Sequence, residues 1–335
     1  MATLHDVIAP FQLFQPATLD DAAQLAREHG DEAWIMAGGM DSFDWLKDRI
    51  RRPEAVIDLS QVEELRGIRE VDGGLEIGAM TTLVDVAEHA VVRSRFGVLA
   101  DAAGLVASPQ IRHQGTIGGN VSQDTRCPYY RRGWTCYRAG GNICYADTPT
   151  AFNREHAILG ASRCVAVSPS DTAPALVALD AQMVIRRGSR ERVVEAADYF
   201  LGPEVDIRHM TVLEPGDLLT AIRIPSTWAD ARFYFEKVRD REVWDFPLVN
   251  VASAIRESSG RIQDARIVVG AVAARPLRLR DVEAALAGQV MSDEAAVRAG
   301  EIAIRGARAL RFNAYKVPLM RNLVKRAVRG GPVSA

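Results

Sequence analysis

The four cysteines are the residues of this chain that point most directly to chemistry. All of them fall between positions 127 and 164 of a 335-residue chain, with the spacing C-x8-C-x7-C-x19-C. Clustered cysteines in an intracellular protein are typical of metal binding or redox chemistry. Zinc sites usually contain a short pair of cysteines two to four residues apart, which is absent here, whereas a [4Fe–4S] cluster takes four thiolates. We therefore favour a [4Fe–4S] cluster over a zinc site or unligated thiols, with the ligands Cys127, Cys136, Cys144 and Cys164.

The segment that contains the first three cysteines has no helical or strand periodicity and is rich in aromatic residues, glycine and arginine. Such a segment is typical of a loop that needs an internal support, for example a metal centre. Its first part contains four basic residues and no acidic residue, with Arg126, Arg131, Arg132 and Arg138 between positions 126 and 138. This positive charge would offset an anionic cluster; the alternative is an ordinary solvated basic loop.

Two glycine clusters have the composition of ligand-binding turns. The first lies between an apolar run at 34–37, which predicts a buried strand, and a helix predicted at 41–49. Glycine lets a ligand approach the backbone closely, and two cradles in one domain fit a long diphosphate ligand such as FAD. Ordinary tight turns are the alternative, and neither cluster matches a Rossmann or Walker motif. The predicted binding residues are Ala37, Gly38, Gly39, Met40, Asp41, Ser42, Thr116, Ile117, Gly118, Gly119 and Asn120.

Motifs for acid–base and hydrolytic chemistry are absent from the sequence. The six histidines form no H-E-x-x-H pair and no G-x-S-x-G segment occurs, so we assign no catalytic residue. His113 and His156 lie near the motifs described above, and we expect a solvated or hydrogen-bonded surface role for both. The pattern favours a protein that holds redox centres over one that performs acid–base catalysis.

Composition limits the cellular setting and the partners. The 41 basic and 43 acidic residues give a net charge of −2, whereas nucleic-acid binders usually carry a basic excess. No apolar run reaches the roughly 18 residues of a membrane span, and the first residues lack the pattern of a secretory signal. We therefore expect a cytoplasmic protein that binds neither membrane nor nucleic acid.

Local patterns predict two domains that meet at about residue 226. Before this point we predict strands at 54–59, 74–79, 164–168 and 182–187, and helices at 19–29, 82–90, 97–106 and 171–180. After it, strand-like stretches at 231–239, 246–256 and 262–273 are followed by helices at 279–287, 292–304 and 315–328. Strands followed by helices indicate a separate α+β domain rather than further βαβ units.

Seven segments, taken in chain order, resemble the FAD-binding (medium) subunits of the xanthine dehydrogenase, or molybdenum hydroxylase, family. They are AGGMDS at 37–42, IGAMTT at 77–82, SPQIRHQGTIGGNVSQ at 108–123, SPSDTAPALVALDA at 168–181, DLLTAIRIP at 217–225, FEKVRDREVWDFPLVNVA at 235–252 and VVGAVAARPLR at 268–278. The cysteine-rich insertion resembles the branch of this family that carries a [4Fe–4S] cluster. That branch includes the FAD subunits of 4-hydroxybenzoyl-CoA reductase and of bacterial aromatic aldehyde oxidoreductases.

The resemblance implies an α+β fold with two domains. Residues 1–226 would form a VAO-type (PCMH-like) FAD-binding domain with two subdomains, at about 1–58 and 59–226, and with the cysteine-rich cluster loop at 124–165. Residues 227–335 would form a CO dehydrogenase flavoprotein-like C-terminal domain, built from a three-stranded antiparallel sheet and helices. The two glycine loops would bind the FAD diphosphate, and the four cysteines would bind the cluster.

The same resemblance implies a function and two further site residues. Asp171 would contact FAD, and Lys237 would lie near the flavin. The chain would relay electrons between the [2Fe–2S] clusters of a small subunit and an external acceptor or donor, for example ferredoxin, while a large molybdopterin-binding subunit turns over the substrate. The alternatives are a stand-alone FAD-dependent oxidoreductase of the same fold and a zinc-stapled, non-enzymatic binding module. A twin-arginine signal on a partner subunit would allow export of the whole complex.

Overall fold

The computed structural model describes residues 7–331, so the outermost residues of the two predicted domains, 1–6 and 332–335, lie outside it. The chain begins with a small parallel sheet in the order β1-β3-β2, flanked by two helices. Thr18 begins the first helix by accepting a hydrogen bond from the backbone N–H of Asp21, and Gly30, with a φ of 46°, ends it. These elements are β1 (Gln12–Phe14), α1 (Leu19–His29), β2 (Ala33–Met36), α2 (Ser42–Lys47) and β3 (Ala55–Asp58).

A five-stranded antiparallel sheet in the order β4-β5-β8-β6-β7 forms the second layer. Helices pack on one face of it around the largest apolar core. The strands are β4 (Ile68–Val71), β5 (Gly74–Gly78), β6 (Gln182–Arg187), β7 (Arg190–Glu195) and β8 (Leu218–Pro225). The helices of this core are α3 (Leu83–Glu88), α4 (Ala90–Arg95), α5 (Gly97–Gly104), α7 (Ile117–Val121), α9 (Thr172–Ala178) and α10 (Ala196–Tyr199), while α6 (Pro109–Gln114) lies outside it and α8 (Pro128–Arg131) belongs to a separate small core.

The last part of the chain is an antiparallel sheet in the order β12-β11-β10-β9, with three helices that bury their apolar faces in a core of their own. Its strands are β9 (Arg232–Val238), β10 (Val249–Ser258), β11 (Arg261–Gly270) and β12 (Leu277–Arg278), and its helices are α11 (Arg280–Leu286), α12 (Asp293–Ala303) and α13 (Lys316–Arg329). Single 3₁₀ turns occur at Gly30–Glu32, Leu59–Gln61, Glu63–Leu65, Tyr137–Ala139, Tyr145–Asp147 and Ser226–Trp228.

The predicted α+β class is confirmed, but strands β1, β4, β7 and β8 were not predicted, and two further differences concern β12 and the segment at 164–168. The C-terminal sheet has a short fourth strand, β12, beside the three predicted ones. The strand predicted at 164–168 is wrong, because this segment is irregular and its backbone pairs with other loops. The carbonyl of Val165 accepts from the N–H of Ala157, and the N–H of Ser168 donates to the carbonyl of Ala273. Its apolar side chains are buried without a neighbouring strand.

The helices of residues 7–331 are too short or too polar to cross a lipid bilayer. The longest of them, α13, has 14 residues, whereas a membrane span needs about 20 apolar ones.

Candidate cofactor sites

The two glycine clusters face each other across one cavity of about 320 Å³. This volume lies within the roughly 300–1,000 Å³ of typical small-molecule sites. The first cluster connects β2 to α2, and the second follows α6 and forms the beginning of α7. The cavity wall includes ten of the predicted residues, namely Ala37, Gly38, Gly39, Met40, Asp41, Ser42, Thr116, Gly119, Asn120 and Asp171. Ile117 and Gly118 are buried beneath the wall.

Close packing of the two loops explains why glycine is needed in them. A Cβ atom on Gly38 would lie 2.1 Å from the carbonyl oxygen of Gln114, the last residue of α6 before the second loop. A Cβ atom on Gly118 would lie 2.7 Å from the carbonyl oxygen of Ala79. Gly39 has a φ of 76°, a conformation that side chains disfavour. The loops therefore meet with their backbones almost in contact, and the cavity opens beside that contact.

Asn120 holds the second loop in place from inside the protein. Its amide oxygen accepts hydrogen bonds from the hydroxyl groups of Ser170, at 2.7 Å, and Thr172, at 2.6 Å. The hydroxyl of Thr116 accepts from the N–H of Gly119 at 3.0 Å and so begins α7. These bonds fix the loop before any ligand is present, which is the arrangement expected of a preorganised cradle.

Asp171 and Lys237 form a buried ion pair behind the cavity. The ammonium group of Lys237 donates to Asp171 at 2.6 Å, and also to the carbonyl oxygens of Leu105, at 3.0 Å, and Asp245, at 2.8 Å. Asn250 donates to the other oxygen of Asp171 at 3.2 Å. Burial raises the pKa of Asp171, and the Lys237 charge opposes this shift. Asp171 lines the cavity, whereas the Lys237 side chain is fully buried beside it.

The Lys237→Met variant is expected to lose about 3–5 kcal/mol of the free energy of unfolding, because it leaves a carboxylate buried without its partner. The Lys237→Met/Asp171→Asn double variant should recover part of this loss, since its amide carries no charge. Urea unfolding of both variants and of Asp171→Asn alone completes the double-mutant cycle. If the double variant lost the sum of the two single variants' losses in free energy of unfolding, the pairing of Lys237 with Asp171 would be contradicted.

The mouth of the cavity is formed by residues to which the sequence analysis gave no role. Trp244, Asp245 and Phe246 come from the loop between β9 and β10. The backbone N–H of Trp244 donates to the carbonyl of Ala107 at 2.9 Å, while its side chain is 63% exposed. Trp45 from α2 lines the inner wall. The only sequence signal for the mouth was the family-like segment at 235–252.

All four cysteines line a second, smaller cavity. Each of them is a free thiol. The rest of the wall is mainly aromatic and includes Tyr129, Tyr130 and Tyr145 together with His156. Within residues 7–331, the structure contains no group of three or more histidine, cysteine or acidic side chains that could hold a single metal ion.

Cys136 and Cys164 are buried, Cys127 and Cys144 are half-buried, and the thiols differ in their acidity. Burial raises the pKa of Cys127 to about 11. A hydrogen bond with Cys164 lowers the pKa of Cys144, and the same contact, together with burial, raises the pKa of Cys164. Cys144 is therefore the most acidic of these three thiols, whereas Cys127 and Cys164 keep their protons at neutral pH, and metal binding would have to release those protons.

His156 lies against this cavity, so the surface role predicted for it is wrong. Its ring is 4% exposed, and Nε2 lies 3.3 Å from the sulfur of Cys127. Burial lowers the pKa of His156 to about 4, which keeps the ring neutral at physiological pH. His113 is exposed on α6, as predicted.

The arginines of the cysteine segment are mostly paired with carboxylates. Arg126 donates to Asp41 at 2.7 Å, and Arg131 donates to both oxygens of Asp41, at 2.9 and 3.0 Å. Arg138 pairs with Asp124 at 2.7 Å, while Arg132 is exposed. Asp41 belongs to the first glycine loop, so its carboxylate binds the cysteine segment rather than pointing freely into the cavity.

The two cavities share an aromatic wall. Trp45 lines the larger cavity and Tyr130 lines the cysteine cavity, and their ring centroids lie 5.6 Å apart in an edge-to-face arrangement. The guanidinium group of Arg131 lies 3.7 Å from the centroid of the Trp45 ring. These residues and Cys136 form a small core between the two sites. An α+β chain with a cavity between two glycine loops has the architecture of a flavin-nucleotide-binding protein.

Comparison with known proteins agrees with this class and defines it more closely. Residues 9–227 match the family model described as the FAD binding domain in molybdopterin dehydrogenase, and residues 233–330 match the CO dehydrogenase flavoprotein C-terminal domain. The chain belongs to the FAD-binding subunits of the molybdenum hydroxylase family. It is thus the FAD subunit of an oxidoreductase of the molybdenum hydroxylase type, as the sequence resemblance predicted.

Individual relatives align with most of this chain. The aldehyde oxidoreductase FAD-binding subunit PaoB of Escherichia coli is 37% identical over 270 residues, which cover 79% of this chain and 82% of that protein. The carbon monoxide dehydrogenase medium chain of Hydrogenophaga pseudoflava is 29% identical and covers 95% of this chain and 96% of its own. A solved structure of carbon monoxide dehydrogenase from that organism superposes with a TM-score of 0.77, at 28% identity, over 97% of this chain and 98% of that chain.

Proposed function

We propose that this chain carries FAD and a [4Fe–4S] cluster and relays electrons within a heteromeric molybdopterin oxidoreductase. The electrons would pass between the [2Fe–2S] clusters of a small subunit and an external acceptor or donor, with ferredoxin as one candidate. A large molybdopterin-binding subunit would turn over the substrate. The names of the relatives support a multi-chain enzyme, because several of them are medium chains.

The observation that carries this proposal is the shared wall of the two cavities. One aromatic pair, Trp45 and Tyr130, separates the space between the glycine loops from the space among the four thiols. FAD bound in the first would supply a centre that takes up electrons in pairs and releases them singly. A group among the thiols would therefore lie next to it, as a relay requires.

The residues of the larger cavity fit a flavin nucleotide. Its wall presents the backbone of two glycine loops, which suits a diphosphate. It also presents four aromatic residues, which suit planar rings, namely Trp34, Trp45, Trp244 and Phe246. Asp171 would make the FAD contact that the resemblance implied, since it lines this wall. Lys237 would influence the flavin through Asp171, since its own ammonium group is already bonded to three oxygen atoms.

The donor set of the smaller cavity fits a cubane cluster better than a single ion. A zinc ion needs its thiolates at about 2.3 Å from one point, and the described residues offer no such group. A cubane has its four irons at separate corners, so its ligands surround a larger space. Four free thiols line one cavity of about 10 Å³, so they supply the donors of a cubane but would have to move apart to admit it.

The test is the cofactor content of the complex, purified anaerobically through an affinity tag on this chain. We expect one FAD per copy of this chain. We also expect the iron and acid-labile sulfide of one cubane beyond the amounts that the small subunit's clusters contain. Flavin without the excess iron would remove the cluster from the proposal. A colourless chain with stoichiometric zinc would favour the binding module, and turnover of a small organic substrate by the isolated chain would favour the stand-alone oxidoreductase.

The Asp41→Asn variant is expected to lower the content of FAD and of iron together. It removes the negative charge that both Arg126 and Arg131 bind, so the first glycine loop and the cysteine segment lose their connection. Hydrogen bonds to a charged group contribute about 1.5–3 kcal/mol, which corresponds to a weakening of FAD binding by about ten- to hundredfold.

Asp48→Asn is the matched control for this variant. Asp48 ends α2, is exposed and lies outside the wall of the larger cavity. Its replacement should leave both cofactors near the wild-type level, because exposed substitutions away from a site have small effects. Loss of FAD from Asp41→Asn with full retention of iron would show that the two sites are independent.

A further inference from the structure

His156 is held in a fixed orientation between the cysteine segment and the C-terminal helices. Its backbone carbonyl accepts a hydrogen bond from the side chain of Asn313, at 3.0 Å, and its N–H donates to the carbonyl of Asn153. Asn313 is itself fully buried. The ring therefore reaches Cys127 from a rigid support, with 3.3 Å between Nε2 and the sulfur.

The hydrogen-bonding pattern of the ring identifies its tautomer. Nδ1 is buried and has no hydrogen-bond partner among residues 7–331. With the proton on Nδ1, that N–H would be buried and unpaired, at a cost of about 1–3 kcal/mol. With the proton on Nε2, Nδ1 only accepts, and the N–H points at the sulfur of Cys127. A proton on Nε2 therefore leaves the fewest buried donors of this ring unpaired, because Nε2 faces the sulfur and Nδ1 faces no acceptor.

The surroundings of Cys127 differ from those of the other three cysteines. The backbone N–H groups of Tyr129 and Tyr130 also point at its sulfur. Cys144 and Cys164 instead interact with each other and with nearby backbone N–H groups. Among residues 7–331, an imidazole contacts a thiol in the hydrogen bond between His156 and Cys127.

We propose that His156 is a positioning residue for the cluster, which donates an Nε2–H···S hydrogen bond to Cys127 and makes the reduction potential of the cluster more positive. The inference rests on the proposed function, because it takes Cys127 as a cluster ligand. A hydrogen bond to a ligating sulfur withdraws negative charge from it and stabilises the reduced, more negative state of the cluster. The same bond fixes the direction from which this sulfur meets the cluster.

The first experiment needs no substitution. The wild-type complex is prepared with histidine that carries the heavy nitrogen isotope, the cluster is reduced, and pulsed electron paramagnetic resonance is recorded at a temperature that selects the fast-relaxing cubane. We expect a weak coupling to one labelled nitrogen, as a hydrogen bond through sulfur produces. Absence of any coupling, or the strong coupling of a nitrogen bound directly to iron, would overturn the inference.

The second experiment measures midpoint potentials in variants. His156→Leu should shift the potential of the cluster to a more negative value and leave that of FAD unchanged, and His156→Gln, which keeps an N–H donor, should restore part of the shift. His113→Leu is the matched control, because His113 is exposed on α6. An unchanged cluster potential in His156→Leu would overturn the inference.

The outcomes separate this inference from the proposed function. A wild-type complex without the additional iron and sulfide would contradict the proposed function, and the inference with it. A wild-type complex with the full cluster, but without nitrogen coupling, contradicts the inference alone. If His156→Leu assembles no cluster, the labelled wild-type complex still decides the question.

Discussion

The Cys136→Ser variant is expected to keep FAD at the wild-type stoichiometry and to lose the iron and acid-labile sulfide of one cubane. Cys136 is buried between Trp45 and Tyr130 and lines the smaller cavity, whereas the FAD cavity is lined by other residues. A serine hydroxyl has nearly the same shape as the thiol but is a much poorer ligand for iron at neutral pH, because it does not ionise there. Chemical assays of iron, sulfide and flavin in the purified complex measure the effect.

Thr135→Ser is the matched control for this variant. Thr135 is the exposed neighbour of Cys136, and its replacement also changes one side chain to serine without reaching the cavity. The control should contain the wild-type amounts of iron and flavin. If Cys136→Ser retained the full cubane signal, Cys136 would not be a ligand. If it lost flavin as well as iron, the two sites would depend on each other more closely than their separate walls suggest.

The Gly38→Ala variant is expected to bind FAD at least about ten- to hundredfold more weakly than the wild type. The added methyl group would lie 2.1 Å from the carbonyl oxygen of Gln114, which is backbone and cannot turn away. The two glycine loops must therefore separate, and such overpacking costs about 1–3 kcal/mol or more, which corresponds to that loss of affinity. Flavin released on gel filtration, and the dissociation constant from fluorescence titration, give the result.

Gly97→Ala is a suitable control for Gly38→Ala. Gly97 begins α5, and a Cβ atom there would meet only a ring carbon of Phe233, at 4.0 Å. This variant should bind FAD like the wild type and unfold at a similar temperature. Normal flavin affinity in Gly38→Ala would mean that the close approach of the loops is not what shapes the cavity.

The elements with clear local patterns could be predicted from the sequence. Helix α1 was predicted with its observed limits because its apolar residues recur at helical spacing and Gly30 follows them as a C-cap. Strand β6 was also predicted with its observed limits. The segment at 164–168 has the composition of a strand but lies among loops, and composition does not reveal the absence of a neighbouring strand. Strands β4 and β7 are largely exposed, which weakens their apolar pattern.

The site could be predicted in part, because its glycine and cysteine clusters are local in sequence. The residues that connect the clusters are distant in the chain and carry no local signal. Asp41 pairs with Arg131, 90 residues away, and His156 meets Cys127 from a segment that shows no motif. Trp244 reaches the cavity only because β9 and β10 bring their connecting loop across it. Such contacts follow from tertiary structure and cannot be predicted from the local pattern of a single sequence.

The buried ion pair between Lys237 and Asp171 restricts how the C-terminal part of this chain can be truncated or replaced. Lys237 and Asn250 belong to the C-terminal sheet, whereas Asp171 precedes α9 in the N-terminal part of the chain. A truncation before β9, or a chimera that takes its last hundred or so residues from a different relative, would strand an ionised carboxylate in the protein interior unless both donors came with it. An exchange of the C-terminal part of this chain therefore has to keep Asp171, Lys237 and Asn250 together.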